Sequence, residues 1–314
     1  MRDIRIVATS ALAPTLWDTT YLVTTEFLPP NRPLLAGALR ALPAGLLLVS
    51  AVAVLAGRSA LPRGAWWWRS AVLGTLNIGL FFALLFVAAY SLPGGVAAVL
   101  GALGPFVVAA FAFVLLGQHP TRRTLIGAVI GVAGVGLLVL RSNAALDPLG
   151  LAAAAGGTIT MSLGTVLGRR WGTPAGYAHT PTALLALTGW QLTVGGLLLL
   201  PVAFAVEGMP STLTTTNLAG FGYLSLLGTA LAYFLWFRGV TTLAPARVTM
   251  LALLSPVGAA VLGWAVLGQA LTVGQLIGAA AVLAAILIGT SSPSPSRQEA
   301  QPPSPTRSSV LARR

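Results

Sequence analysis

The stretch FVLLGQHPTRRTLIGA, residues 113–128, returns at residues 264–279 as WAVLGQALTVGQLIGA. Leu116-Gly117-Gln118 meets Leu267-Gly268-Gln269, and Leu125-Ile126-Gly127-Ala128 meets Leu276-Ile277-Gly278-Ala279, both at an offset of 151 residues. Outward from there, Pro105 meets Pro256, and Gly45-Leu46-Leu47-Leu48 meets Gly196-Leu197-Leu198-Leu199 at the same offset. Leu, Ala and Gly recur everywhere in an apolar chain, so they alone prove little. Shared Pro and Gln positions at one offset mark an internal repeat.

The solvent follows from composition. Of 314 residues, 56% are hydrophobic and 8% charged, with a mean hydropathy of +0.87. Soluble domains carry about 25% charged residues, so this chain could not cover its surface in water. The lipid bilayer is the partner it requires. There is no cysteine, which excludes a disulfide framework, thiolate catalysis and Cys-bound metal. The formal charge of +12 does not point to nucleic acid, because the arginines sit in short gaps between apolar runs and form no stripe.

Ten apolar segments are long enough to cross a ~30 Å hydrocarbon core. They fall near 5–26, 33–56, 68–90, 94–116, 124–140, 148–168, 183–206, 218–237, 248–267 and 272–290. All read as helices, since an open sheet cannot satisfy its backbone in lipid. Every basic residue is arginine; only Arg32 and Arg141 fall on one side, Arg40 lies within span two, and the rest share the other side. That bias predicts cytoplasmic N- and C-termini. A cleaved signal peptide competes for the start, MRDIRIVATSALAPTLW, but its removal would leave unequal halves. Residues 291–314, rich in Ser, Pro and Arg, read as a disordered tail.

Each half holds five spans, and an odd number inserts the second copy upside down. The expected fold is therefore an all-α integral membrane protein: ten transmembrane helices as two inverted-topology five-helix repeats, residues 1–143 and 144–290. Many secondary transporters share this plan, with the substrate near the midplane. Pro105 and Pro256 both lie ~15 Å deep at 1.5 Å per residue. Each bends its helix and frees a carbonyl, so both are hinge candidates as well as plain packing kinks.

Trp17 in span one, LAGALRALPAG with Arg40 in span two, TMSLGTVLGRRW at 160–171, and the paired Pro-to-LGQ blocks of spans four and nine together resemble the EamA-like branch of the drug/metabolite transporter superfamily. The likeness covers residues 5–290. It implies a ten-helix inner-membrane carrier that typically exports amino acids or other small metabolites without ATP, and domains that are EamA-like repeats. Three positions depart from the family's pattern. Asp18 stands where Gly usually follows the Trp, and Gln118 and Gln269 stand where Glu is frequent, so a proton role at those two sites does not carry over.

Asp18 and Arg40 lie at about the same depth, ~10–12 Å below the outer surface at 1.5 Å per residue, on consecutive antiparallel spans. A charge within a span costs a few kcal/mol and finds a partner or water, so an Asp18–Arg40 ion pair is expected. Three roles stay open: a structural clamp, a substrate site with Arg40 for a carboxylate and Asp18 for an amine, or proton coupling at Asp18. Further substrate-binding candidates are Trp17 and Tyr21, Asn77, Trp190, Gln191, Tyr233 and Trp236. Gln191 is the repeat counterpart of Arg40, so the fixed charge should sit toward one side. Trp66, Trp67 and Trp68 read as an interfacial belt.

GVAGVG at 131–136 is a close-packing stripe; it has no Lys-Ser/Thr after it and is no phosphate loop. The two histidines, His119 and His179, fall in loops. No metal cluster, cofactor site or nucleophile–base–acid set can be assembled, so no enzyme is expected. The expected function is a secondary transporter, and exporter, of small polar metabolites such as amino acids, acting by alternating access as a monomer or homodimer. The alternatives are a multidrug or cation proton antiporter, a nucleotide-sugar or sugar-phosphate carrier, and a non-transporting scaffold.

Overall fold

The computed structural model describes residues 2–30, 32–56, 61–91, 99–139, 147–173, 181–208, 210, 212–243, 245–267 and 272–290. Arg141, His179, Gln269, the tail 291–314 and the side chain of Tyr21 lie outside the described residues. Everything regular among the described residues is helical. Spans one and two are Arg2–Phe27 and Pro33–Ala56. Span three runs Trp66–Gly74, then a π-helical stretch Thr75–Leu80, then Phe81–Ser91. Spans four and five are Gly104–Leu116, preceded by a helical turn, and Arg122–Val139.

The second half repeats this order. Spans six and seven are Pro148–Trp171 and Pro181–Glu207. Span eight runs Thr215–Ser225, a π-helical stretch Leu226–Leu231, then Ala232–Thr242. Span nine is broken into Pro245–Leu251 and Leu254–Leu267, and span ten is Val273–Thr290. Among the described residues, seven of the ten are long and apolar enough to cross a membrane by composition alone. The two π-helical stretches stand 151 residues apart, as the prolines do. A π turn widens the helix and displaces carbonyls from the i→i−4 ladder.

Packing repeats along with order. Span two lies along seven and span five along ten; three packs on six as eight packs on one; four packs on six as nine packs on one. Exchanging the halves maps this list onto itself. Close approach comes from glycines at symmetric places. A Cβ on Gly45 would strike the Thr193 backbone, and one on Gly196 the Leu42 backbone; these are the same contact, shifted by 151. Gly127 against the Ala285 carbonyl and Gly278 against the Gly134 carbonyl repeat the device in the other seam. Small residues of this kind let helices meet where no hydrophobic force drives them together.

Both central prolines restart a broken span. Pro105 sits in the first turn of its helix after the turn at Leu103. Pro256 follows the break at residues 252–253, where Ala252 and Leu253 donate to the carbonyls of Thr249 and Met250. Proline cannot donate a backbone bond, and it is tolerated in a first turn where donors are spare anyway.

Candidate functional site

Trp17, Phe82, Tyr233 and Trp236 meet where spans one, three and eight converge. The Trp17 ring lies 5.2 Å from Tyr233 and 5.2 Å from Trp236, and Phe82 packs 6.2 Å from Tyr233, near edge-on. Asp18 follows Trp17 and turns to span nine. It is 3% exposed, and its Oδ1 accepts a 2.5 Å hydrogen bond from Ser255 Oγ. Its Oδ2 is buried with no hydrogen-bond partner among the described residues, as are the indole N–H groups of Trp17 and Trp236. Gly258 makes the room: a Cβ there would overlap Asp18 Oδ2.

Arg40 reaches the same ring wall from span two. Its guanidinium lies 4.9 Å over Phe82, Nε donates to Thr229 Oγ1 at 3.1 Å, and Nη2 donates to the Gly228 carbonyl at 3.1 Å. Both acceptors belong to the π-helical stretch of span eight. Nη1 carries no hydrogen bond among the described residues. The expected Asp18–Arg40 ion pair does not form. The carboxylate points to span nine and the guanidinium to span eight.

The repeat supplies the mirror of that clamp. Gln191, the counterpart of Arg40, accepts from Asn77 Nδ2 at 2.8 Å and donates to the Leu187 carbonyl at 3.2 Å. Asn77 lies in the π-helical stretch of span three, at the counterpart of Gly228. Each half thus ties its second helix to the widened turn of the other half's third. One tie carries a charge and the other is a neutral amide pair.

A crevice lined by Trp66, Leu73, Asn77, Gly164, Gly168, Gln191 and Phe237 runs in from the Arg-rich end, with about 20 Å³ of free volume. That holds roughly one water. At the mirror position toward the other face, Trp17 stands for Gly168 and Arg40 for Gln191, both larger side chains.

The face opposite the arginines is latched between halves. Glu207, ending span seven, accepts from the Leu34 and Leu35 backbone N–H groups at 2.6 and 2.9 Å, capping span two from the other repeat. Arg32 Nη1 donates to the Glu207 and Gly208 carbonyls. Asn217 Nδ2 donates to the Phe27 carbonyl at 2.8 Å, and Thr19 Oγ1 pairs with Tyr223 Oη at 2.9 Å. The repeat counterparts of Arg32 and Glu207 are Ala183 and Ala56. The Arg-rich face cannot form that clasp.

Of the sequence candidates, Trp17, Asp18, Arg40, Tyr233 and Trp236 come together. Asn77 and Gln191 form the adjoining amide pair. Trp190 stands apart, packed 6.3 Å from Trp66 at the Arg-rich end. Ser255, Phe82, Gly228 and Thr229 were not singled out. The 151-residue offset points to Gly228 through Asn77, and Ser255 carries a signal as a hydroxyl beside a mid-span proline.

Residues 5–140 and 148–290 each match the EamA-like transporter family. The chain is 46% identical over 276 residues to Protein PecM of Dickeya dadantii (strain 3937), covering 88% of this chain and 89% of PecM. It is 30% identical to the WAT1-related protein At3g02690, chloroplastic, of Arabidopsis thaliana, over 87% of this chain and 66% of that one. It is 27% identical to the uncharacterized inner membrane transporter YedA of Escherichia coli (strain K12), over 88% and 87%. A crystal structure of another protein superposes with a TM-score of 0.74 at 20% identity, over 91% of this chain and 97% of that one, a likeness of fold.

Proposed function

Because the chain belongs to the EamA-like transporter family, a group of non-enzymatic membrane carriers of small molecules, we propose that it exports small polar, amine-bearing metabolites such as amino acids by alternating access. The observation that carries this reading is the buried Asp18 Oδ2, without a hydrogen-bond partner among the described residues, on the residue that follows Trp17 of the Trp17–Tyr233–Trp236 ring cluster. A carboxylate with a spare oxygen and π faces nearby suits an ammonium. The Nη1 donors of Arg40, which have no hydrogen-bond partner among the described residues, suit the carboxylate of a zwitterion. Likeness to an inner membrane transporter supports the same membrane here, and the arginine bias supports cytoplasmic termini.

The test is counterflow in liposomes holding the purified protein, screening labelled amino acids, purines and cationic dyes at two pH values. Exchange of amino acids is the expected result. Flux of none of these compounds turns the reading toward a scaffold. One observation favours a second reading: among the described residues Asp18 makes no ion pair with Arg40, as exchange of a proton for a cation at that acid requires. Dye flux that follows an imposed pH gradient, with no amino-acid exchange, would establish the antiporter instead.

Alternating access requires the latched face to open, and Glu207 is its keystone. Glu207→Gln keeps one acceptor and loses the charge on a helix N-terminus, an interaction of about 1 kcal/mol. The native chain has no cysteine, so a single Leu39→Cys reporter beneath the latch reads its opening cleanly. Its alkylation by an impermeant maleimide should rise about fivefold in the Glu207→Gln background. An unchanged rate would mean that this clasp does not gate.

A further inference from the structure

The tryptophan run at the start of span three divides its labour. Trp66 is buried, whereas Trp67 and Trp68 are 59% and 51% exposed. Arg69 follows, and its guanidinium sits among three indoles: 5.4 Å from Trp66, 5.7 Å from Trp68 and 5.8 Å from Trp171 of span six. Trp68 and Trp171 brace one another edge-on at 4.9 Å. The cradle fixes the plane of the cation through its rings.

Among the described residues the cradle offers Arg69 Nε no acceptor. That Nε is buried with no hydrogen-bond partner among the described residues, although a guanidinium carries five N–H donors. The sequence places no Asp or Glu between Glu26 and Asp147, nor between Asp147 and Glu207. The loops at this end of spans three and six therefore hold no carboxylate, and the acids on the Arg-rich face are Asp3 and Glu299 of the two termini. Exposed Arg63 and Arg170 add positive charge beside the cradle. Trp67 and Trp68 stand outward at a span end, the level where indoles meet lipid headgroups.

We propose that the Arg69 cradle binds the phosphate of an anionic phospholipid from the adjoining leaflet. The guanidinium donates to phosphate oxygens, and the outward indoles pack on the glycerol and upper acyl chains. Guanidinium and phosphate match as a planar two-bond pair, and basic pockets at helix ends favour anionic headgroups. The site lies at the Arg-rich rim, away from Asp18, and stands whether or not the transport reading does.

Native mass spectrometry of the delipidated full-length protein tests it, titrated with phosphatidylglycerol, phosphatidylcholine or inorganic phosphate. One phosphatidylglycerol should be retained at least tenfold better than phosphatidylcholine. Arg69→Gln should cut that retention at least fivefold, and Arg123→Gln, an exposed arginine on the same face, should not. Trp68→Leu keeps the charge but opens a wall, and should weaken retention about threefold. It serves as the deciding variant if Arg69→Gln does not fold. Equal retention of the two lipids would overturn the proposal, as would equal loss in the Arg69 and Arg123 variants. Displacement of the lipid by inorganic phosphate would reassign the cradle to a soluble anion.

Discussion

Asp18→Asn is expected to leave the protein folded and to abolish exchange of its substrate. The amide keeps the carboxylate's shape and can still accept from Ser255 Oγ, which reaches only Oδ1. What it loses is the charge that faces an incoming ammonium. Removing one partner of a buried ion pair costs about 3–5 kcal/mol, so flux at subsaturating substrate should fall roughly a hundredfold or more. Stability should move the other way. A buried charge with an unpartnered oxygen destabilises the empty protein, so the variant should melt at the same temperature or higher. Counterflow and detergent melting on one preparation read both halves of the result. Loss of protein from the membrane would instead identify Asp18 as a clamp.

Gly196→Val is expected to do the reverse, damaging the fold while touching nothing at the site. A Cβ on Gly196 would come within 2.6–2.7 Å of the Leu42 side chain and backbone. Backbone cannot rotate away as a side-chain tip can, so spans two and seven must separate. Overpacking of this type costs about 1–3 kcal/mol or more. Gly45→Val should produce a matching loss, because it strikes the same seam from the symmetric place. Gly222→Ala, which would meet nothing within 4 Å, is the neutral control. Melting temperature and monodispersity in detergent decide the matter. If Gly45→Val were harmless while Gly196→Val was not, the seam would not be symmetric in energy.

The fold was legible because lipid leaves the chain few choices. Hydropathy located the spans, and the 151-residue offset related them; the packing list then follows from the symmetry. The site was only half legible. Depth along a span is readable by counting at 1.5 Å per residue, and depth put Asp18 and Arg40 at one level. The direction a side chain faces around its helix depends on which neighbours surround it. Spans nine and eight claimed the acid and the base separately. The π-helical stretches left no local mark in the sequence either, since TLNIGL and LLGTAL share only two leucines, Leu76 with Leu227 and Leu80 with Leu231. They became visible as a pair.

That pairing has a historical consequence. A π turn is one extra residue lodged in a helix, and it rotates everything after it by about 100° relative to an uninterrupted helix. Had the insertion arisen in one copy after duplication, the repeats would fall out of register by one residue beyond it. Gln118 and Gln269 still align at the offset that aligns Gly45 with Gly196. The two widened turns thus keep the copies in register, the outcome expected if the five-helix unit carried the turn when it was duplicated.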